Sequence, residues 1–508
     1  MLRRWLIWTH RYVGIPLSVV FVIWFASGIV MMYTGGMPRI TPAERFLRID
    51  PVDAAEVRLT PAEAAARGGL DGPPSRVVLL TVLARPAYRF DGVTVFADTG
   101  ERLAPIGSAA AETVALRFTG APASAVTYDR LLMDPDQWTL QFRGALPAHR
   151  LLVDDGSGTE VYVSQQTAEV VMLTTRRSRA LAWAGAIPHW FYVRALRVEQ
   201  TLWTRAVVWT SIVGCAVVLL GLALGVTQFR WRGNGRRIPY AGWMWWHYVT
   251  GVIFGIVTLT WTFSGLMSME PFAWTRARGL DLPRDTLAGG PLDLGQFPAI
   301  PPAAWKRVVN GREVKEVALR QVDGQPFYEA RLPWGPTNGA TGTGHEITGS
   351  ASPAAGFDRL LIAADTMEVR KEPFDAATLV SRLKEASGVP VVETEQLEAY
   401  DSYYYSRPEG ALPLPVLRVR FADPLDTWVY VDPAAGQIVR SLHRYSRAER
   451  WLFNGLHSLD FGFWYSRRPL WDVGVILLSI GGLASSGIGL WIGAGRIRRA
   501  VSRWLAPA

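Results

Sequence analysis

Cysteine is nearly absent. The 508-residue chain has one, Cys215, inside an apolar run. A single thiol excludes an intrachain disulfide, a CxxC redox pair and a thiolate zinc site. It also excludes haem attached through CxxCH, so a haem here would depend on axial ligands alone. Histidine is scarce as well, with seven in all, and no nucleotide-phosphate loop occurs. Net charge is +9, yet there is no basic helix or basic run with nucleic-acid spacing. Nucleic acid is therefore not an expected partner.

Apolar and aromatic residues are abundant. The hydrophobic fraction is 49% and there are 22 Trp, a residue whose apolar body and polar N–H suit membrane interfaces. Four runs approach the roughly 20 residues needed to cross a bilayer: 10–33, 203–227, 243–269 and 471–494. The apolar stretch Val13 to Tyr33 exceeds a signal-peptide core of about 7–15 residues, and no small-x-small cleavage site follows. Segment 1–33 is expected to be an uncleaved anchor. Arginines crowd three flanks: Arg3, Arg4 and Arg11; Arg230, Arg232, Arg236 and Arg237 in the 228–242 loop; and Arg496, Arg498, Arg499 and Arg503 in the 495–508 tail. Positive flanks face the cytoplasm. Both termini are expected inside a bacterial inner membrane, with lipid around the spans and 34–202 and 270–470 in the periplasm.

Those two segments carry short alternating strands punctuated by Gly, Pro and Asp. RLTPAEAAARGG and FDAATLVSRLKEASG read as N-capped helices. VTVFADTGERL, TEVYVSQQTAEVV and TWVYVDPAAGQIV read as hairpins. The pattern is a helix followed by antiparallel strands, four times, two per segment. The stretch 333–356 is expected to be loop. The fold class is an α+β membrane protein.

The chain repeats itself. At an offset of 237 residues His10 meets His247, Gly14 meets Gly251, Trp24 meets Trp261 and Ser27-Gly28 meets Ser264-Gly265. At an offset of 268, Ser178-Arg179-Ala180 meets Ser446-Arg447-Ala448, Trp183 meets Trp451, His189 meets His457, and Leu202-Trp203 meets Leu470-Trp471. Gly214 and Gly221 meet Gly482 and Gly489 at the same offset. The architecture predicted is span–outer domain–span made twice, as parallel repeats about an axis along the membrane normal.

A single histidine at a span end is most often a polar anchor. Two pairs, each recurring at the matching place, point to a shared role. An axis of this kind would set His10 against His247 and His189 against His457. Two imidazoles facing one another can ligate a flat metal macrocycle from both sides, and such an iron carries electrons rather than oxygen. From His10 to Ser27 is about 26 Å of helix at 1.5 Å per residue, so the two sites would lie in opposite leaflets. Small residues in the spans, including GGLASSGIG at 481–489, suit either macrocycle clearance or close helix contact. Two histidines without a matching carboxylate are thin for the four ligands of zinc. His149, His345 and His443 have no histidine partner under either offset and are expected on the surface or in loops.

The segment TWVYVDPAAGQIV…HRYSRAERWLFNGLHSLDF…RRPLWD (427–472) resembles the PepSY-associated transmembrane proteins, as does the opening WTHRYVGIPLSVVFVIWFASGI. That family includes iron-regulated inner-membrane proteins and ferric-siderophore reductases of the ferrioxamine B reductase type. The resemblance implies two b-type haems on His10, His189, His247 and His457, periplasmic PepSY-like domains, and reduction of a ferric siderophore with release of Fe(II). Tyr403, Tyr404, Tyr405 and Arg407, in YDSYYYSRPEG, are the candidate docking surface for the chelate. Arg179, Arg194, Arg447, Arg450, Arg467 and Arg468 are candidates to neutralise haem propionates. Some relatives carry a fused flavodoxin-reductase-like domain. This sequence shows none, so a quinol or a separate flavoprotein is the expected electron donor. PepSY modules also occur as peptidase-binding elements. The alternative reading is thus a membrane-anchored regulatory module without redox activity.

Overall fold

The structure is a computed structural model that describes residues 1–231, 236–283, 285–333, 357–405 and 412–505. It is α+β, with four long apolar helices and three antiparallel sheets. The chain divides into two compact units. One comprises Met1–Pro38, Arg177–Ala277 and Tyr445–Ala508, the other Arg39–Arg176 and Arg278–Arg444.

The first unit is helical. Its long helices are Leu2–Thr34, Gln200–Gln228, Trp243–Met267 and Leu470–Leu505, each long and apolar enough to cross a membrane. The first packs on the fourth, the fourth on the third, the third on the second and the second on the first. Glycines let them approach. A Cβ on Gly482 would meet the Phe25 ring at 2.1 Å, and one on Gly214 would meet Thr262 and Phe21 at 3.1 and 3.4 Å. Segments 177–199 and 445–469 belong with these helices rather than with the sheets. A tryptophan of the long helix that follows latches each segment. Trp203 Nε1 donates to the Trp190 carbonyl at 2.8 Å, and Trp471 Nε1 to the Ser458 carbonyl at 3.0 Å.

The second unit has four helix-plus-strand modules. Helices Pro61–Arg67 and Ala376–Ser387 form where their caps predict. Thr60 and Glu63 make a capping box, while Asp375 accepts from the Thr378 amide and Gly388 ends the helix at φ 62°. The hairpins at 159–174 and 428–442 pair in antiparallel register. The one expected at 93–103 is reduced to strand Val93–Phe96 and a single bridge between Val95 and Arg102. Residues 334–356 lie outside the described residues.

One feature of topology has no local sequence signal. Strand Val77–Val82 pairs antiparallel with Glu316–Val322, joining three strands of each segment into one six-stranded sheet. Alternation sends Val77, Leu79, Val317 and Leu319 to one face, where they pack with helices Pro61–Arg67 and Pro302–Val308. Leu80 and Val82 on the other face join the core of the sheet containing Thr159–Ser164, and Val322 joins the core under Ala376–Ser387. A seam of charge links these elements. Arg45 pairs with Glu169 at 2.6 Å and with Glu316 at 2.7 Å; Glu316 pairs with Arg331 at 2.9 Å. Glu329 pairs with Arg331 at 2.9 Å and with Arg320 at 2.7 Å.

Burial alone would raise the Glu329 pKa, but Arg320, Arg331 and Arg359 outweigh it and hold the carboxyl at about 2. A carboxyl depressed in the folded state contributes stability above its unfolded pKa and loses it as pH falls through the folded value. The thermal midpoint of the full chain in detergent should therefore fall as pH drops from about 4.5 toward about 2. Glu329→Gln should cost about 3–5 kcal/mol at neutral pH by stranding its arginines, and should flatten the acid limb.

Candidate functional site

Helix geometry brings the four repeated histidines together in two pairs. The rings of His10 and His247 have centroids 6.3 Å apart and planes at 31°. Those of His189 and His457 are 6.1 Å apart with planes at 74°. His10 and His247 lie within the first and third long helices. His189 ends the short helix Ala186–His189, and His457 lies in the single turn Leu456–Ser458 after a π-helix, Arg450–Gly455. Arg450, buried against Asp460 at 3.4 Å and donating to its carbonyl at 2.8 Å, fixes that turn.

Each imidazole is anchored in the same manner. The Nδ1 of His10 lies 3.1 Å from the Val217 carbonyl, and that of His247 lies 3.2 Å from the Ser485 carbonyl. The Nδ1 of His189 lies 3.1 Å from both the Trp24 carbonyl and Ser27 Oγ. That of His457 lies 3.3 Å from the Trp261 carbonyl and 2.9 Å from Ser264 Oγ. A carbonyl only accepts, so every Nδ1 carries the proton and donates it. Every Nε2 is left with its lone pair. The partners also repeat: Trp24 and Ser27 match Trp261 and Ser264 at 237, and Val217 matches Ser485 at 268.

The acceptor carbonyls went unnoticed in the sequence, but they leave a signal. Each is followed four residues later by glycine: Trp24 by Gly28, Val217 by Gly221, Trp261 by Gly265 and Ser485 by Gly489. In a helix the Cβ tilts toward the N-terminus, so the residue four on covers that carbonyl. With glycine there the imidazole reaches it. A Cβ would lie 2.7 Å from His10 Cε1 at Gly221, 3.1 Å from His247 Cε1 at Gly489 and 3.4 Å from His189 Cε1 at Gly28.

Each pair borders a cavity. That of His10 and His247 is about 430 Å³, lined by Gly14, Ser18, Gly251, Ser485 and Gly489 among others. That of His189 and His457 is about 490 Å³ and lined largely by apolar and aromatic groups, including Trp24, Phe25, Trp190, Trp203 and Trp261. Phe21 and Thr258 line both, so one layer of side chains separates them. A metal–imidazole bond of about 2 Å, added to about 1 Å from ring centre to nitrogen, sets trans-ligating centroids about 6 Å apart. Both pairs meet that spacing, and the residues fit a macrocycle held between them. Among the described residues no cluster of three or more His, Cys, Asp or Glu could hold a bare metal ion.

Other expected residues are placed differently. Tyr404 is fully buried, stacked on Tyr430 at 4.8 Å and donating to the Pro413 carbonyl at 2.7 Å. It belongs to the core and cannot dock a chelate. Tyr403 sits edge-on to Trp428, and Arg440 lies over Tyr405; both tyrosines are half-buried. Arg407 and His345 lie outside the described residues. His149 is buried rather than exposed, donating from Nε2 to the Ile106 carbonyl at 2.8 Å. None of Arg179, Arg194, Arg447, Arg450, Arg467 and Arg468 lines the second cavity.

Gly221→Ala should displace the His10 ring and cost about 1–3 kcal/mol through overpacking, measured as a lower thermal midpoint in detergent. Gly265→Ala, whose added carbon finds nothing closer than His457 Cε1 at 3.9 Å, should leave the midpoint nearly unchanged or raise it.

No curated protein matches the chain at a significant level. The sequence model of the PepSY-associated TM region matches residues 7–306, a span that takes in His10, His189 and His247 and leaves His457 and 427–472 beyond it. With four long apolar helices and more than half its length matched, the chain belongs to the PepSY-associated transmembrane family.

Proposed function

We propose that the protein holds two b-type haems, one between His10 and His247 and one between His189 and His457, and passes electrons across the bacterial inner membrane to a ferric siderophore in the periplasm. The observation that carries this reading is the shared contact of each Nδ1 with a backbone carbonyl. Four Nδ1–H groups are committed to backbone carbonyls, which leaves four Nε2 lone pairs on two pairs of rings whose centroids lie 6.3 and 6.1 Å apart. A hydrogen bond at Nδ1 fixes the ring and raises the basicity of the other nitrogen. His10 with His247, and His189 with His457, would hold such a group, which would supply single-electron transfer when bound.

The chain's own residues supply position and insulation. Glycines clear the rings, aromatic groups line the second cavity, and Phe21 and Thr258 form the shared wall. The sheet unit is the proposed periplasmic docking domain, with Tyr403, Tyr405 and Arg407 as candidates to meet the chelate. A siderophore holds Fe(III) far more tightly than Fe(II), so one electron releases the metal. The electron donor in this reading is a quinol or a separate flavoprotein on the cytoplasmic side.

The purified protein should show low-spin haem absorption, with haem extractable by acid acetone. His10→Ala or His247→Ala should remove about half of it, and His189→Ala or His457→Ala the other half. Colourless protein from haem-replete cells would sink the haem reading and restore the anchored regulatory module. Loss of the same haem from His10→Ala and His189→Ala would overturn the pairing.

The dithionite-reduced protein should be reoxidised quickly by a ferric siderophore, with Fe(II) appearing in a ferrous trap. His189→Ala or His457→Ala should slow this at least tenfold even where the chelate still binds. NADPH alone should not reduce the protein. A reduced protein that ignores every class of ferric siderophore yet reduces another periplasmic acceptor would leave the conduit standing and remove the iron assignment.

A further inference from the structure

Among the described residues that line the first cavity, the two halves differ in charge at two matched positions. At an offset of 237 Arg11 corresponds to Tyr248, and at 268 Arg496 corresponds to Gln228. All four line the cavity between His10 and His247. The neutral pair is satisfied within the protein. Tyr248 donates to the Gly225 carbonyl at 2.6 Å, and Gln228 accepts from the Tyr240 hydroxyl. The charged pair is not. Among the described residues Arg11 and Arg496 have no carboxylate partner, Arg496 is half-buried, and it feels the like charges of Arg11 and Arg499. Two guanidiniums, Arg11 exposed and Arg496 half-buried, line one cavity without a carboxylate partner among the described residues and form a donor site for a dianion, since each can make charge-assisted, bidentate hydrogen bonds to a carboxylate.

We propose that Arg11 and Arg496 form a carboxylate-binding edge of the first cavity, taking the two propionates of the haem held by His10 and His247. The inference rests on the haem reading and adds an orientation to it. His10 matches His247 under the repeat, as Gly14 matches Gly251, Gly221 matches Gly489 and Gly225 matches Gly493, so these residues by themselves would accept a macrocycle in either sense. The arginines sit on the first and fourth long helices and their neutral counterparts on the second and third. A ligand with both carboxylates on one edge then has a single favoured orientation. The second cavity has no arginine among its described lining residues, so the device is confined to the first.

The test uses the full-length protein in detergent with His457→Ala, so that only the first pair binds. Haem and haem dimethyl ester, which lacks the carboxylates, are titrated into the haem-depleted protein and binding is read from the low-spin spectrum. Haem should bind at least tenfold more tightly than its ester. With R11Q and R496Q added, haem should weaken at least tenfold and the difference between haem and ester should disappear; with R11K and R496K it should persist in part. Equal affinity of haem and ester without the arginine changes overturns the proposal and leaves the haem reading intact. That arm needs no arginine substitution, so a misfolded variant does not protect the idea. It also separates propionates from lipid headgroups, because arginines that serve headgroups would not distinguish the two. Failure of haem to bind at His10 and His247 at all ends both readings.

Discussion

The donation of each imidazole Nδ1–H to a carbonyl on a helix other than its own is the constraint around which the helical unit is arranged. A helical carbonyl already accepts one amide bond, and its second lone pair takes the histidine. At Gly221 and Gly489 a side chain would crowd the imidazole that reaches that lone pair, while Gly265 leaves room for one. Hence Gly221 and Gly489 four residues on, and hence the close approach of helices that a bulkier residue would hold apart. Ser27 and Ser264 reinforce the bond at one pair only. The ring planes then take different relative angles at the two sites, 31° and 74°, although the anchoring principle is shared.

The long helices and the histidine pairs were legible because the chain states them twice. A lone His10 would have read as a span-end anchor; His10 with His247, and His189 with His457, read as sites. The capped helices Pro61–Arg67 and Ala376–Ser387 were legible from local chemistry, since a capping box or an Asp cap needs only adjacent residues. What stayed hidden depends on distant partners. Tyr404 looks like surface in a tyrosine-rich run, and distant partners make it core: it stacks on Tyr430 of strand Trp428–Asp432 and clusters with Val416. The acceptor carbonyls of Trp24 and Val217 were hidden because backbone groups have no letter of their own.

The sheet unit shows how a polar seam can sit among apolar cores. Glu316, Arg331 and Glu329 project from the middle of the six-stranded sheet, and burying them singly would be costly. Linked through Arg45 and Arg320, each carboxylate meets two guanidiniums. Such a seam contributes less to net stability than an apolar core of equal volume, but it penalises any mispairing that leaves one charge behind. Arg45 comes from the short helix Pro42–Arg48 and Glu169 from the turn before Val170–Thr174, so the seam ties elements the hydrophobic pattern alone would leave free to slide.

The shared six-stranded sheet sets a schedule for biosynthesis. Val77–Val82 emerges from the ribosome about 240 residues before the strand that completes its edge, and at roughly 5–20 residues per second that interval is on the order of 10–50 seconds. Two of the long apolar helices are made within it. For that time the strand presents unpaired amides and carbonyls, the kind of edge that recruits other chains. The nascent first half must therefore be kept from pairing with a neighbour until Glu316–Val322 arrives, which makes the production of this protein a problem of timing as much as of stability.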